Sequence, residues 1–308
     1  MQPDADAERA PSRRSVVVIG NFDGVHRGHA EVIRTARAVD PTARLVAVTF
    51  SPHPMSVIRP DQAPLVLTSP QRRAELLRRV GVDEVVVVDF TAEVAGWSPE
   101  RFVAEVLEPL DPVAVVVGEN FRFGFRAAGT PATLQELGVG RWTVHALPLL
   151  TVDERPDSST LLREAVLAGE LDRFRQLAGH EYQFSGVVVR GDQRGRAMGF
   201  PTANVPVPAG MAVPADGVYA GWVTRLDDPH APHWPAAISV GTNPTFHGVE
   251  RRVESYVLDR TDLELYGVEI AVDFVGRLRG QVTYEGMPAL IEQMHHDVEE
   301  IRAILGQR

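Results

Sequence analysis

Two histidines three residues apart, His26 and His29, close the glycine-rich segment GNFDGVHRGH at Gly20–His29. The apolar run Ser15–Ile19 precedes it and a helical pattern follows. Such a segment can hold a nucleotide triphosphate without a P-loop. Imidazole donors and helix-end N–H groups converge on phosphate, and the glycines let the backbone come close. The spacing puts both imidazoles near one face of a first helical turn. The same residues, taken alone, also describe a plain βα turn with two surface histidines.

Three further segments of the first half carry chemistry. TFSPHP at Thr49–Pro54 has two prolines that stiffen a strand exit, and stiff apolar walls suit a flat aromatic ligand. GENFRFGFRAAG at Gly118–Gly129 sets Asn120 and two arginines among aromatics just after an apolar run. In Asp157–Arg163, DSSTLLR, Ser and Thr cap a helix and Arg163 projects from its first turn, which suits phosphate. Each of these, read singly, is equally an ordinary loop or cap.

The second half has its own candidates. In GDQRGRAMGFPTANVPVP at Gly191–Pro208, Gly191, Gly195 and Gly199 allow a close flap over phosphate. Thr202 and Asn204 place two oxygen donors on the same side of an extended segment. Two neutral oxygens, nucleotide phosphates and water together make a Mg²⁺ site. Glu254 lies in a strand-like stretch, where a carboxylate facing a pocket can take a proton from a primary alcohol. A lone PTAN is otherwise a turn after proline, and a lone Glu a surface charge.

These segments need elements to hold them. The first half alternates expected strands, Val16–Ile19, Arg44–Thr49, Glu84–Asp89, Val113–Val117 and Trp142–Leu147, with helical stretches at Ala30–Val39, Ser69–Val80, Pro99–Val106 and Pro131–Leu137. Alternation of this kind implies a parallel α/β sheet whose ligand sits at the carboxyl ends of its strands. After about Gly179, strand-like stretches follow one another: Tyr182–Arg190, Gly217–Thr224, Ala236–Val240, Arg252–Asp259 and Glu269–Leu278. They suggest an antiparallel barrel. A closing amphipathic helix, Met287–Leu305, should turn Leu290, Met294, Val298, Ile301 and Leu305 toward it.

Composition bounds the chemistry. At about 150 residues per domain, a chain of 308 residues suggests two domains. There is no cysteine, so thiolate metal sites, disulfides and cysteine nucleophiles are excluded. All 31 basic side chains other than histidine are arginine, which excludes a P-loop lysine and a Schiff base. The net charge of −10 argues against general nucleic-acid binding. Apolar runs such as Val85–Val88 and Val113–Val117 are too short to span a bilayer. Residues 1–14, charged and without an apolar signal core, read as a disordered leader, and the expected location is cytoplasmic.

Taken in order, the motifs resemble the prokaryotic bifunctional riboflavin kinase/FAD synthetases. The first four segments follow that family's G-x-F-D-G-x-H-x-G-H, T-F-x-P-H-P, V-G-x-[DN]-[FY]-x-F-G and S-S-T-x-[IV]-R patterns. Gly191–Asn204, Gly217–Tyr219, Gly241–Phe246, Val253–Glu254 and Leu265–Gly267 follow its kinase patterns. Asp157 and Leu162 stand where the family has Ile or Val, and the junction reads Gly179-His-Glu-Tyr182 in place of G-R-P-Y.

The resemblance implies a Rossmann-like FMN adenylyltransferase domain over 15–178 and a β-barrel riboflavin kinase domain over 179–308. Riboflavin would be phosphorylated to FMN, and FMN adenylylated to FAD with release of pyrophosphate, at the expense of two ATP and with Mg²⁺. His26, His29 and Arg163 would stabilise the adenylyl-transfer transition state. Asn21, Asp23, Gly24, Asn120, Ser159 and Thr160 would bind the nucleotide, and Phe50, Pro52 and Pro54 the flavin. In the kinase half Gly191, Arg196 and Gly199 would bind ATP, Thr202 and Asn204 the metal, and Glu254 would be the base. Self-association is compatible with these residues and not demonstrated by them. Two alternatives stay open: a nucleotidyltransferase acting on a pantetheine or nicotinate phosphate, and a non-enzymatic flavin-responsive regulator. The PTAN half argues against the first, the intact His26, His29, Arg163 and Glu254 against the second.

Overall fold

The apolar runs of the first half form one parallel sheet in the computed structural model, which describes residues 14–148, 151–152, 155–156, 159–191, 195, 198–245 and 248–306. The expected leader and the candidates Asp157, Ser158 and Arg196 fall outside these residues, Arg14 excepted. The chain divides into two units, one of residues 1–64 and 69–159, the other of 65–68 and 160–308.

In the first unit the strands are β1 (Ser15–Ile19), β2 (Arg44–Ser51), β3 (Glu84–Asp89), β4 (Pro112–Gly118) and β5 (Thr143–Leu147), in sheet order β3-β2-β1-β4-β5. The connecting helices are α1 (Arg27–Val39), α2 (Pro54–Ile58), α3 (Pro70–Arg79), α4 (Ala92–Ala95), α5 (Pro99–Phe102) and α6 (Pro131–Leu137). β1 is buried along its whole length because both faces of a parallel sheet are covered. Val16 and Val18 join Ile33, Leu76 and Leu77 in one core. Val17 and Ile19 join Phe102, Leu107 and Leu134 in the other. The helical pattern expected over Pro99–Val106 is shorter as an α-helix. After Phe102 it widens into a π-helical turn over Val103–Leu107, which ends at a proline-containing 3₁₀ turn, Glu108–Leu110.

This strand order fixes the topological switch point. The chain leaves β1 toward β2 and β3 on one side, then returns to β4 on the other, so the switch point lies between β1 and β4. Ligands bind outside the carboxyl ends of strands at such a point. The Gly20–His29 turn leaves β1 there, and the Asn120 turn leaves β4 beside it.

The short pair β6 (Thr151–Val152) and β7 (Arg155–Pro156) leads to α7 (Ser159–Ala168) and α8 (Leu171–Ala178). The second unit then contains β8 (Tyr182–Val187), β9 (Thr202–Pro206), β10 (Gly217–Arg225), β11 (Trp234–Thr245), β12 (Gly248–Val257) and β13 (Glu269–Arg279). They form an antiparallel sheet of order β8-β13-β10-β11-β12-β9. Its outer strands approach each other: Val189, just past β8, bridges Asn204 of β9, with Val189 N–H donating to the Asn204 carbonyl at 2.8 Å. The sheet thereby curls into a barrel. β9 is absent from the strands expected from the sequence, because prolines on both sides hide a five-residue strand.

The last helix, α9 (Met287–Gly306), covers the curled sheet with Val298, Ile301 and Leu305 buried and Met294 partly so. Asp297 on the same face is also buried. Its carboxylate takes both Arg279 donors, at 3.0 and 2.6 Å, and one from Gln293 at 2.9 Å.

The boundary between the two units falls between Ser159 and Thr160 in the chain, earlier than the change of pattern near Gly179. Phe174 of α8 is buried and meets the Tyr182 ring edge-on at 5.4 Å, and the Ala168 carbonyl ending α7 accepts from Arg277 of β13. A helix counts with the sheet that covers its apolar face, whichever side of a pattern change it lies on. Phe174→Ala should therefore cost the second unit about 3–5 kcal/mol, read as lost hydrogen-exchange protection in β8 and β13. Undiminished protection there would detach α8 from that core.

Candidate functional sites

The first site grows from the turn after β1. His26 is the N-cap of α1, and the ring of His29, one turn on, stacks on it with centroids 3.7 Å apart. Phe22 closes the other side of His29 edge-on at 5.1 Å. Burial, the neighbouring His26 and then the Arg73 guanidinium hold the His29 pKa well below 6.5, so its imidazole is neutral near pH 7. Its Nδ1 is buried without a hydrogen-bond partner among the described residues. The turn itself is forced into shape: Gly24 has φ 81°, and Phe22 and Val25 have φ of 49° and 39°. Positive φ is uncommon for any side chain and an outlier for a β-branched one.

Several expected residues gather at this turn. Asn21 is exposed and approaches His53 Nε2 at 3.3 Å, while His53 Nδ1 accepts the Met55 N–H at the start of α2. Ser159 Oγ donates to the Asp23 carbonyl at 2.6 Å. Asp23 itself is 1% exposed, and its carboxylate faces Arg73 at 3.9 Å. It thus meets the site through its backbone. Pro52 is exposed and Pro54 half-buried at the first turn of α2. The Phe50 ring lies behind them in the core, against Phe90 and Phe102. Asn120 is exposed on the turn after β4. Thr160 and Arg163 belong to the second unit, where Arg163 Nε donates to the Leu65 carbonyl at 2.6 Å.

Two residues of this site escape the sequence reading. His53 had a signal, since it sits inside TFSPHP. Arg73 had none: PQRRAELLRR reads as a solvated, arginine-rich helix, yet Arg73 is buried.

The second site lies on β9 and β12, whose register sets Glu254 opposite Asn204. Thr202 and Asn204, two apart, share a face: the Asn204 amide nitrogen is 3.1 Å from Thr202 Oγ1. Thr202 Oγ1 is 3.4 Å from Glu254 Oε2. Gly191 lets the Asn204 side chain come close, since a Cβ on it would stand 2.6 Å from Asn204 Oδ1 and force that side chain to shift. The clustered donors are a hydroxyl, an amide and a carboxylate, all hard oxygens suited to Mg²⁺. Among the described residues no three His, Cys, Asp or Glu side chains form a metal cluster by themselves.

Two cavities flank these residues. One, of about 310 Å³, is mixed, with Gly191, Thr202, Asn204, Arg260 and Glu264 on its wall beside Val257, Leu263 and Leu265. The other, of about 260 Å³, is apolar and lies under α9, bounded by Met198, Phe200, Ile238, Tyr256 and Met294, with Glu254 in its wall. Ser255 and Val257 line the first, Glu254 and Tyr256 the second, as strand alternation requires. Thr202 lines both. A mixed cavity and a mainly apolar one therefore meet at a hydroxyl next to a carboxylate.

The chain matches the FAD synthetase family model over residues 8–161 and the riboflavin kinase model over residues 178–305. Curated relatives named bifunctional riboflavin kinase/FMN adenylyltransferase include those of Listeria monocytogenes, 33% identical over 95% of this chain and 93% of that protein, and Escherichia coli K12, 32% identical over 97% and 95%. A crystal structure described as a macrolide-efflux protein from Streptococcus pneumoniae superposes with a TM-score of 0.79 at 30% identity, covering 94% of this chain and 95% of that one. No helix among the described residues is long and apolar enough to cross a membrane. Both halves match in the expected order and the likeness runs over nearly the full length: the chain belongs to the family of bifunctional riboflavin kinase/FMN adenylyltransferases.

Proposed function

We propose that the chain converts riboflavin to FMN and FMN to FAD, consuming ATP at each step and releasing ADP and then pyrophosphate. The observation that carries the reading is the meeting of a mixed cavity and a mainly apolar one at Thr202 beside Glu254. Riboflavin has a flat ring to bury and a polar ribityl chain to present. ATP needs polar walls and close backbone approach, which Gly191 and Gly199 supply.

In the kinase site the apolar cavity under α9 takes the isoalloxazine ring, and the mixed cavity beside Gly191 and Asn204 takes the nucleotide. Glu254 receives the proton of the ribityl 5′-hydroxyl as its oxygen attacks the γ-phosphorus and ADP leaves. Thr202 and Asn204 would hold Mg²⁺, which supplies positive charge at the nucleotide phosphates when bound.

In the adenylylation site the FMN phosphate is already an anionic nucleophile, so no strong base is required. The attack at the α-phosphorus builds charge on its oxygens and on the leaving pyrophosphate. Neutral His29, His26 and the backbone of the turn donate to those oxygens. Asn21 and Ser159 help bind the nucleotide together with Asn120. Pro52 and Pro54 line the flavin, with Phe50 supporting them from the core. The cytoplasm is the proposed location.

The test is incubation of the full chain with riboflavin, ATP and Mg²⁺, with flavins separated by chromatography. FMN should form first and FAD after it. Riboflavin left unchanged would sink the reading.

A further inference from the structure

We propose that Arg73 is a positioning residue for adenylyl transfer, holding the turn after β1, and with it His26 and His29, in the reactive geometry; this rests on the reading of that site given above. Arg73 lies on α3 with its side chain 4% exposed. Its Nη1 donates to Thr49 Oγ1 at 3.1 Å and to the Phe50 carbonyl at 2.9 Å, and its Nη2 stands 3.9 Å from Asp23 Oδ1. Thr49 Oγ1 donates onward to the Asn21 carbonyl at 2.9 Å. The Asp23 carbonyl accepts from Ser159. One guanidinium thus ties the end of β2, which continues into Pro52 and His53, to both sides of the histidine turn.

That turn needs such a clasp. Phe22 and Val25 hold left-handed backbone conformations, and these persist only where the surroundings over-determine them. A planar fork suits the task better than a point charge, since it reaches a hydroxyl, a carbonyl and a carboxylate at once. A purely structural arginine would bond within its own helix or to a neighbouring surface charge, as Arg72 does with Glu75. Arg73 instead sends its guanidinium to Thr49, Phe50 and Asp23, on the turn and the strand beside it. Its charge also reaches His29, whose other neighbours are the His26 ring and the Phe22 edge, with Asp23 paired to Arg73 itself.

Full-length Arg73→Lys and Thr49→Val separate this role from folding. Lys keeps the charge but loses the fork, and Val removes only the hydroxyl that links Arg73 to Asn21. Both should lower kcat for FMN adenylylation about 10- to 100-fold, the scale of a misplacement of about 1 Å. KM should move less than about threefold. Riboflavin phosphorylation, which uses neither residue, should continue at the unaltered rate. Arg73→Met adds a readout that scaffolding would not move. Loss of a nearby positive charge lets His29 bind a proton more readily, so the acid limb of kcat/KM shifts to higher pH. Unchanged kcat in Arg73→Lys and Thr49→Val overturns the inference. So does a loss of activity matched by lost hydrogen-exchange protection in β1 and β2 in all three variants, or an unmoved acid limb in Arg73→Met. Failure of the unaltered chain to make FAD from FMN overturns the reading of the site, and the inference with it.

Discussion

His29→Ala removes most FAD formation from FMN and ATP while FMN formation from riboflavin continues. The imidazole is stacked on His26 at 3.7 Å and closed by Phe22, so it is held in place before substrate arrives. A donor held this way costs no reorganisation when charge develops on phosphate, and its loss is worth about 10²–10³ in rate. The kinase residues Thr202, Asn204 and Glu254 lie in the other unit and are untouched. The variant also tests the protonation state. In the folded chain His29 titrates well below 6.5, so near and below that value the unfolded chain binds a proton that the folded chain refuses. Stability of the first unit therefore falls as pH drops through 6.5 toward the lowered folded value, and His29→Ala should flatten that fall. Flavin chromatography reads the first effect and urea midpoints at pH 7 and pH 5.5 the second. FAD formed at the unaltered rate would remove His29 from the phosphate site.

The legible part of this molecule was what depends on short-range pattern. Val16–Ile19 and Val113–Val117 announced buried parallel strands because both faces are covered, and the Gly20–His29 turn followed β1 as the topology requires. Thr202 and Asn204 were rightly set on one side of an extended segment, although the strand they form went unread. What stayed hidden depends on partners far along the chain. Arg73 and Asp297 look like solvated charges on helices and are buried. Their partners, Thr49 and Asp23 for one and Arg279 for the other, come from separate strands and turns. Phe50, expected with Pro52 and Pro54 at the flavin, lies at the end of a central strand with its ring in the core. Helices α7 and α8 show the same limit. An amphipathic helix does not record which sheet will cover it, and α8 found β8 and β13.

Glu254→Gln should block phosphorylation of riboflavin and spare adenylylation of added FMN. Gln preserves the size and the hydrogen-bonding reach of Glu254, including its approach to Thr202 Oγ1 at 3.4 Å, but it cannot accept the hydroxyl proton. Loss of a general base costs about 10²–10⁴ in rate. The strand itself should be undisturbed, because Glu254 pairs through its backbone with Ser239 on one side and Asn204 on the other. Ser255 and Val253, which point away from Glu254, keep β12 in the core. Nucleotide affinity should change little, since Gly191, Gly199, Thr202 and Asn204 line the cavity proposed for the nucleotide and Glu254 does not. The defect should therefore appear in kcat with KM for ATP nearly constant, which marks a group that acts in the transition state and not in binding. Two parallel reactions decide it, one fed riboflavin and one fed FMN, each with ATP and Mg²⁺. FAD from FMN with none from riboflavin is the expected result. Normal FMN production by the variant would free Glu254 from the role of base and leave the proton to water or to the nucleotide phosphate.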